Sequence, residues 1–421
     1  MTLQERVSKT VWPSATAQED LIQPAGVAGV WERKIHGEGV TVAVLDSGVR
    51  EDRLGDRLVW SENLTDDPGP NDTLGHGTEM AAFIVGFAPK AKVASIKVID
   101  EDGVTRDRVI RALELCAKRS AEIGVVNVSL GIRRRFWRWT SCKADRLCTL
   151  CTKTNELARA GLMIVVAAGN LGPGPDTLTC PAMAADALSV GASAVTAPGL
   201  VGGFLARHFT SFYYGLGEGS TGTSVSAALT SGGVALLVSA FPDVTLAEIK
   251  DATQTTATRQ EGEDGPREVH WYRTYKLIDH RRRGQTFDPR LGYTHYQAGL
   301  ELRKGGNDAR SIAEFEAAVS LAPTSAYFYN ELGRAYLAGN AIERSFAAFQ
   351  EAVRLHWKLA AAHNNLALVF ERLHRWKEAQ AHYETALSFD PDSAQVQSNL
   401  ERVRRVLGRI QGLENAGAIV V

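Results

Sequence analysis

The sequence predicts two units of different class: an α/β unit whose parallel sheet is covered by helices on both faces, followed by an all-α solenoid. Two observations carry this. Up to residue 257, short β-rich apolar runs alternate with stretches of helical spacing. From residue 291 to residue 411, small, aromatic and proline positions recur every 34 residues. A length of 421 residues agrees, because one hydrophobic core stops growing well before that size.

The strand-like runs are VTVAVLD (40–46), KVASIKVI (92–99), GVVNVSL (124–130), LMIVVAAG (162–169) and ALSVGAS (187–193). Between them lie DRVIRALELCAKRSAEI (107–123) and TKTNELARAG (152–161), whose apolar residues recur at helical spacing. Strands alternating with helices imply parallel pairing, since each crossover covers a face of the sheet. From 258 to 290 the pattern gives way to a polar, charge-rich run, read as a linker with a short packed piece around Trp271, Tyr272 and Tyr275.

The second half repeats. Gly299, Gly333 and Ala367 keep one 34-residue step; so do Phe315, Phe349 and Tyr383; Ala318, Ala352 and Ala386; and Pro323, Trp357 and Pro391. Small residues where two helices touch, an aromatic in the second helix and proline at its end resemble the tetratricopeptide repeat. The resemblance implies three repeats over 291–411, the last stretch being a capping helix at 394–411, with 412–421 as a tail. It also implies a protein partner held in the concave groove, where Asn330, Asn364 and Asn365 are the candidates to touch an extended peptide.

Hydrophobic residues make up 44% and charged residues 23%, and the net charge is −1. That balance carries no electrostatic footprint for nucleic acid or anionic membrane, so neither is expected as a partner. The N-terminus MTLQERVSKTVWPSATAQED has no apolar run behind a basic start, and the apolar runs LMIVVAAG and GVALLVSAF fall short of the roughly 20 residues of a membrane span. A cytoplasmic protein is expected. In that compartment thiols stay reduced unless they bind metal or do redox chemistry.

Three motifs carry chemistry. VAVLDSG places Asp46 at the carboxyl end of an apolar strand, where an open parallel sheet forms its crevice. DTLGHGTEMAAFIVG sets His76 between glycines at the start of a helical run, and GTSVSAALTSGG sets Ser224 before a long apolar helix. Taken singly, these are also an ordinary strand-end carboxylate, a loop histidine and an N-cap. Together, in the order Asp, His, Ser, they resemble the signatures of the subtilases, the subtilisin-like serine peptidases. AAGN adds Asn170 after a strand, and NVSLG (127–131) matches the family's substrate-lining strand.

The resemblance covers residues 21–257 and implies a subtilisin-like sheet and a serine endopeptidase acting on peptide or protein substrates. Ser224 is implied as nucleophile, His76 as general base, Asp46 as its orienting carboxylate and Asn170 as oxyanion donor. Ser129, Leu130 and Gly131 would pair with the substrate, while Ala167, Ala168 and Gly169 would wall the pocket before the cut. Leu171 and the lack of a neighbouring acid suggest an apolar residue there. Ala227 and Ala228 stand where many members carry Ala-Pro or Ser-Pro, which leaves the nucleophile intact. No cofactor is required for catalysis on this reading; calcium is common in the family, but no acidic loop here is specific enough to assign it. Only about 20 residues precede the family's first segment, as in its intracellular branch. Residues 1–20 are therefore expected as a short extension lying across the cleft and restraining activity; a truncation starting near residue 21 that is no more active than the full chain would refute this. The competing reading is a catalytically weak or partner-activated interaction scaffold on a protease fold.

CKADRLCTLC (142–151) holds three of the five cysteines, and Cys180 follows the AAGN strand. Both segments leave the carboxyl edge of the sheet, so Cys142, Cys148, Cys151 and Cys180 can converge. Three readings stand: a structural zinc site, suited by the Cys148-x-x-Cys151 spacing; one or two disulfides; or reduced thiols as small apolar filler. Cys116, inside an amphipathic helix, reads as core. IRRRFWRWT (132–140), in the same loop, has interleaved arginines and aromatics that suit acidic substrate or nucleic acid, but with neutral overall charge and a place beside the cleft it reads rather as a solvated loop over the substrate site.

Overall fold

The computed structural model describes residues 22, 25–132, 147–170, 178–192, 206–208, 222–259 and 267–415. Residues 1–20, Cys142, Leu171 and residues 133–140 of the arginine-rich stretch, all singled out above, lie outside them. The chain divides into two compact units, Met1–Tyr275 and Lys276–Val421, which are described separately.

The first unit is built, among the described residues, on a nine-stranded sheet, beside a separate two-stranded hairpin (Ile99–Asp100 with Gly103–Val104); the strands of the main sheet are β1 (Thr41–Asp46), β2 (Leu58–Asn63), β3 (Lys92–Lys97), β4 (Val125–Val128), β5 (Ile164–Ala167), β6 (Leu188–Ala192), β7 (Ala206–His208), β8 (Thr258–Arg259) and β9 (Arg267–Glu268). Their order across the sheet is β8-β9-β7-β6-β5-β4-β1-β3-β2. Only the edge pair β8–β9 is antiparallel. Parallel neighbours need crossover connections, and the helices supply them: α1 (Val27–Trp31), α2 (His76–Phe87), α3 (Arg106–Lys118), α4 (Thr149–Arg159), α5 (Thr223–Ala240), α6 (Leu246–Thr256) and α7 (Trp271–Arg282).

Strand alternation decides which side chains meet which helix. Ala43 and Leu45 of β1, Val126 and Val128 of β4, and Ile164 and Val166 of β5 form one core with Val109, Leu113 and Cys116 of α3 and Leu150, Cys151 and Leu157 of α4. Helix α5 lies against β4, β5 and β6 and packs on α2. By length and composition α5 could cross a membrane, but 78% of its 18 residues are buried inside the unit, which accounts for its apolar character.

Where a linker was expected, the structure has sheet and helix. Strands β8 and β9 extend the sheet edge, and α7 begins at Trp271 with Trp271 and Tyr272 fully buried. Gly233 of α5 makes room for this: a Cβ there would come within 2.0 Å of the Trp271 ring. The packed piece expected around Trp271 and Tyr272 is there as the start of α7, while the two-residue strands are too short to show a period in sequence. The division into units falls inside α7, after Tyr275.

The second unit is three antiparallel helix pairs and a final helix: α8 (Pro289–Lys304) with α9 (Asp308–Leu321), α10 (Ala326–Ala338) with α11 (Ile342–Leu355), α12 (Ala360–Arg372) with α13 (Trp376–Phe389), then α14 (Ala394–Asn415). Helix α8 starts two residues before the expected boundary, with Pro289 in its first turn and the Asp288 side chain accepting from the N–H groups of Arg290 and Leu291. Helix α14 runs past residue 411 into the expected tail. The 34-residue registers are contact registers. A Cβ on Gly299 would lie 2.7 Å from the Phe315 ring, and one on Gly333 would lie 2.6 Å from the Phe349 ring. Each small residue in the first helix of a pair thus seats the buried aromatic of the second.

Candidate active site

Three adjacent parallel strands, β5, β4 and β1, end side by side, and their carboxyl ends carry Asn170, Ser129 and Asp46. Asp46 closes β1 and is fully buried. Its Oδ1 accepts from the backbone N–H of Ser47 at 2.8 Å and pairs with Nδ1 of His76 at 2.7 Å. Since a carboxylate only accepts, the imidazole proton lies on Nδ1 and Nε2 is left as an acceptor. Asp46 Oδ2 has no hydrogen-bond partner among the described residues.

His76 opens α2 behind Gly75, and the next residue explains its closeness to β1: a Cβ on Gly77 would stand 2.1 Å from the carbonyl of Gly48 and 3.0 Å from Cβ of Asp46. Only glycine lets the helix start against that strand end. Burial works to lower the His76 pKa, but the charge and hydrogen bond of Asp46, with smaller help from Glu79 and Asp72, outweigh it, so the pKa is raised above 6.5.

The loop before His76 is held by Asp72. Its Oδ1 accepts from Ser47 Oγ at 2.8 Å, Leu74 N at 3.1 Å and Gly75 N at 2.8 Å; its Oδ2 accepts from Thr78 N at 2.8 Å and Thr78 Oγ1 at 2.5 Å. Ser47 Oγ in turn accepts from Gly77 N at 3.0 Å. One buried carboxylate therefore ties the strand end, the loop and the first turn of α2 together.

Ser224 is the second residue of α5, not its cap; Gly222 occupies the cap position. Its Oγ donates to the carbonyl of Ser129 at 2.9 Å, and Ser129 Oγ donates to the carbonyl of Ser224 at 2.9 Å. Among the described residues no hydrogen bond joins Ser224 to His76. Behind this pair runs a buried polar chain: Ser231 Oγ donates to Asn127 Oδ1, and Asn127 Nδ2 donates to Ser129 Oγ, each at 2.9 Å. It fixes α5 on β4 and sets the depth of the Ser224 turn.

Asn170 is oriented by Thr223. Its Oδ1 accepts from Thr223 N at 2.9 Å and Thr223 Oγ1 at 3.0 Å, while Thr223 Oγ1 accepts from Gly169 N at 3.0 Å. Both donors claim the oxygen, which leaves the amide NH2, beside Gly222, as the end that can donate.

Leu130 is buried and Gly131 exposed beyond Ser129, at the end of β4. Ala167 and Ala168 are buried, and the Ala168 backbone is tied to Val190 and Thr179, leaving Gly169 and Asn170 nearer the surface. Thr179 stands between the two predicted substrate segments: Cβ atoms on Gly131 and Gly169 would lie 2.2 and 2.5 Å from its Oγ1. Ser47, Asp72, Asn127, Thr179, Thr223 and Ser231 were not singled out from the sequence, although all but Thr179 lie inside the motifs that carry the resemblance: Ser47 in DSG, Asp72 in DTLGHGT, Asn127 in NVSLG, and Thr223 and Ser231 in GTSVSAALTSGG.

The cysteines fall partly in a helix. Cys148 caps α4 and Cys151 lies in its first turn, not in a loop. The sulfurs of Cys148, Cys151 and Cys180 lie within 4.8 Å of one another. Cys116 is buried in α3, where desolvation pushes its thiol up to about 12.

In the second unit the asparagines are not free for a peptide. Asn365 Nδ2 donates to Asn330 Oδ1 at 2.9 Å, and Asn399 Nδ2 donates to Asn364 Oδ1 at 3.2 Å. Asn330 and Asn365 are buried. The two bonds each span 35 residues, one position off the 34-residue step, and form rungs from α10 to α12 and from α12 to α14. The groove candidates are instead aromatic: a cavity of about 570 Å³ is lined by Tyr293, Tyr296, Tyr327 and Phe328, with Tyr293 and Tyr327 more than half exposed at 55% and 57%.

The Subtilase family profile matches residues 37–272, more than half of the chain. The chain belongs to the subtilase family. A tetratricopeptide repeat profile matches residues 360–393, the α12–α13 pair. Over 110 residues this subtilase is 38% identical to a subtilisin-like protease of Coccidioides posadasii, covering 23% of this chain and 28% of that one. It is 29% identical over 175 residues to the serine protease AprX of Bacillus subtilis, covering 37% and 38%. The chain thus spans about a third of the length of the curated relatives it matches. It is also similar to a crystal structure of MycP1 with the N-terminal propeptide removed, at 23% identity and a TM-score of 0.48, over 60% of this chain and 95% of that one.

Proposed function

We propose that this subtilase is a serine endopeptidase whose tetratricopeptide array recruits a protein substrate or partner. The observation that carries the reading is the 2.7 Å contact of His76 Nδ1 with the buried Asp46 carboxylate, at a strand end two sheet positions from Asn170. Ser224 attacks the peptide carbonyl, and His76 Nε2 takes the hydroxyl proton and returns it to the leaving amine. Asp46 holds the tautomer and stabilises the imidazolium. The NH2 of Asn170 and the Ser224 N–H, at the positive end of α5, hold the oxyanion; one such side-chain donor contributes about 3 kcal/mol. Ser129 to Gly131 pair with an extended substrate, and Gly169 with Thr179 bounds the pocket in front of Ala167 and Ala168.

A fluorophosphonate probe tests this: labelling of the wild type that disappears in Ser224→Ala supports it, and an unlabelled wild type under all conditions defeats it. One observation favours a second, partner-activated reading. The Ser224 hydroxyl donates to the Ser129 carbonyl and must give up that bond before His76 can deprotonate it. Labelling that appears only when a ligand of the array is added would select that reading.

A further inference from the structure

We propose that Cys148, Cys151 and Cys180 form a zinc-thiolate site that braces the wall of the substrate cleft. The three thiols come from two segments far apart in sequence, and their sulfurs lie mutually within 4.8 Å, with Cys148 and Cys180 at 3.5 Å. Around a tetrahedral Zn²⁺ with Zn–S bonds of about 2.3 Å, ligand sulfurs stand about 3.8 Å apart, so the cluster needs only small adjustments to close on an ion. A disulfide would gather two sulfurs; here three meet at one point.

The surroundings fit a thiolate centre. Cys148 caps α4 and Cys151 lies in its first turn, where the helix's N-terminal N–H groups and dipole favour anionic sulfur. Cys151 and Cys180 are buried and Cys148 is partly exposed, which leaves an approach for the ion. On binding, each S–H gives its proton to solvent and each sulfur donates a pair to zinc; the metal stays Zn²⁺, and no oxidant is needed. Three thiolates complete three of the four tetrahedral positions, and the fourth takes a further donor.

The site's place gives it a task. Cys180 is bridged to Ile132, with Ile132 N donating to Cys180 O at 3.0 Å and Cys180 N to Ile132 O at 3.2 Å. Its neighbour Thr179 packs on Gly131 and Gly169. An ion tying Cys180 to the start of α4 would therefore fix the side of the cleft where those glycines lie. The inference is independent of whether Ser224 is an active nucleophile.

The test is metal content of the reduced full-length protein after zinc loading and removal of unbound metal. About one zinc per chain is expected, falling at least tenfold in Cys148→Ser, Cys151→Ser and Cys180→Ser and unchanged in Cys116→Ser. No retained zinc in the wild type, or equal zinc in all three variants, overturns the site. Should the variants fail to fold, the wild type decides alone. Cobalt loading should give sulfur-to-metal charge transfer and tetrahedral ligand-field bands, with Cys148, Cys151 and Cys180 protected from alkylation. Octahedral spectra or unchanged alkylation would equally refute it.

Discussion

Asp72 accepts five hydrogen bonds from four residues, three of them on the loop and helix turn that present His76. Asp72→Asn turns one accepting atom into a donor facing other donors. Leaving such buried groups unsatisfied should cost about 1–3 kcal/mol of stability, read by chemical denaturation. Displacing His76 by a fraction of an ångström should also lower kcat by about 10–100-fold with KM little changed; a wild-type kcat would show that Asp72 only supports the fold. His76 itself makes a prediction with two opposite signs. Its pKa is raised against the burial that would lower it, because Asp46 prefers the cation. Protonated His76 therefore stabilises the fold fully below pH 6.5, and this contribution is lost as pH rises through the raised value. On the proposed function His76 is the general base and must be neutral, so kcat/KM should climb over the same window, with its acidic midpoint above 6.5. An acidic midpoint at or below 6.5 would contradict the charge pairing. At this scale Asp46, His76, Asn170 and Ser224 were legible because each stands in a contiguous glycine-flanked motif. Asp72, Asn127 and Ser231 lie inside the motifs DTLGHGT, NVSLG and GTSVSAALTSGG, but the bonds that make them braces, Asp72 to Ser47 and Asn127 to Ser231, span 25 and 104 residues and leave no local pattern.

Helix α7 shows an element legible by its aromatics alone. Its anchor, Trp271, expected in a short packed piece, lies fully buried against Gly233 of α5, although the run before it reads as solvated charge. Trp271→Ala should lower unfolding free energy by about 3–5 kcal/mol, and Gly233→Ala should destabilise by forcing a Cβ into the same ring. Denaturation midpoints for both measure this; two near-wild-type values would mean α7 is not part of the core. The repeats behave in the opposite way. Gly299 and Gly333 were readable because one helix pair recurs with one contact geometry, so the period of the pattern is the period of the fold. Asn330 and Asn365, 35 residues apart and so one position off the 34-residue step, were misplaced, since a residue on a first helix can bond to the next repeat as well as face the groove. Asn365→Ala should cost about 1–3 kcal/mol by leaving the Asn330 amide short of a partner in a buried place. A thermal melt that does not move would return these residues to the groove.

At the scale of the whole molecule, the two units on the proposed function ask different questions of a substrate. The catalytic constellation would read a few residues on either side of the cut, whatever chain they belong to. The array, on the proposed function, reads a second segment of the same chain or its carrier. Tethering by a second site raises the local concentration of the scissile segment without altering the chemical step, so it should act on KM and leave kcat alone. Tyr293 and Tyr327 are the residues to change, because they line the aromatic cavity and are exposed enough that removing them should alter stability by no more than about 0.5 kcal/mol. Tyr293→Ala combined with Tyr327→Ala should leave hydrolysis of a short chromogenic peptide unchanged. With a protein substrate captured by Ser224→Ala full-length chain, the same pair should raise KM about 10–100-fold at constant kcat, the loss of one to two aromatic anchors. A loss of activity on the short peptide would mean that the array instead controls the catalytic unit, which is what the resting Ser224–Ser129 hydrogen bond would lead one to look for; equal kinetics on both substrates would remove the aromatic cavity from recognition altogether.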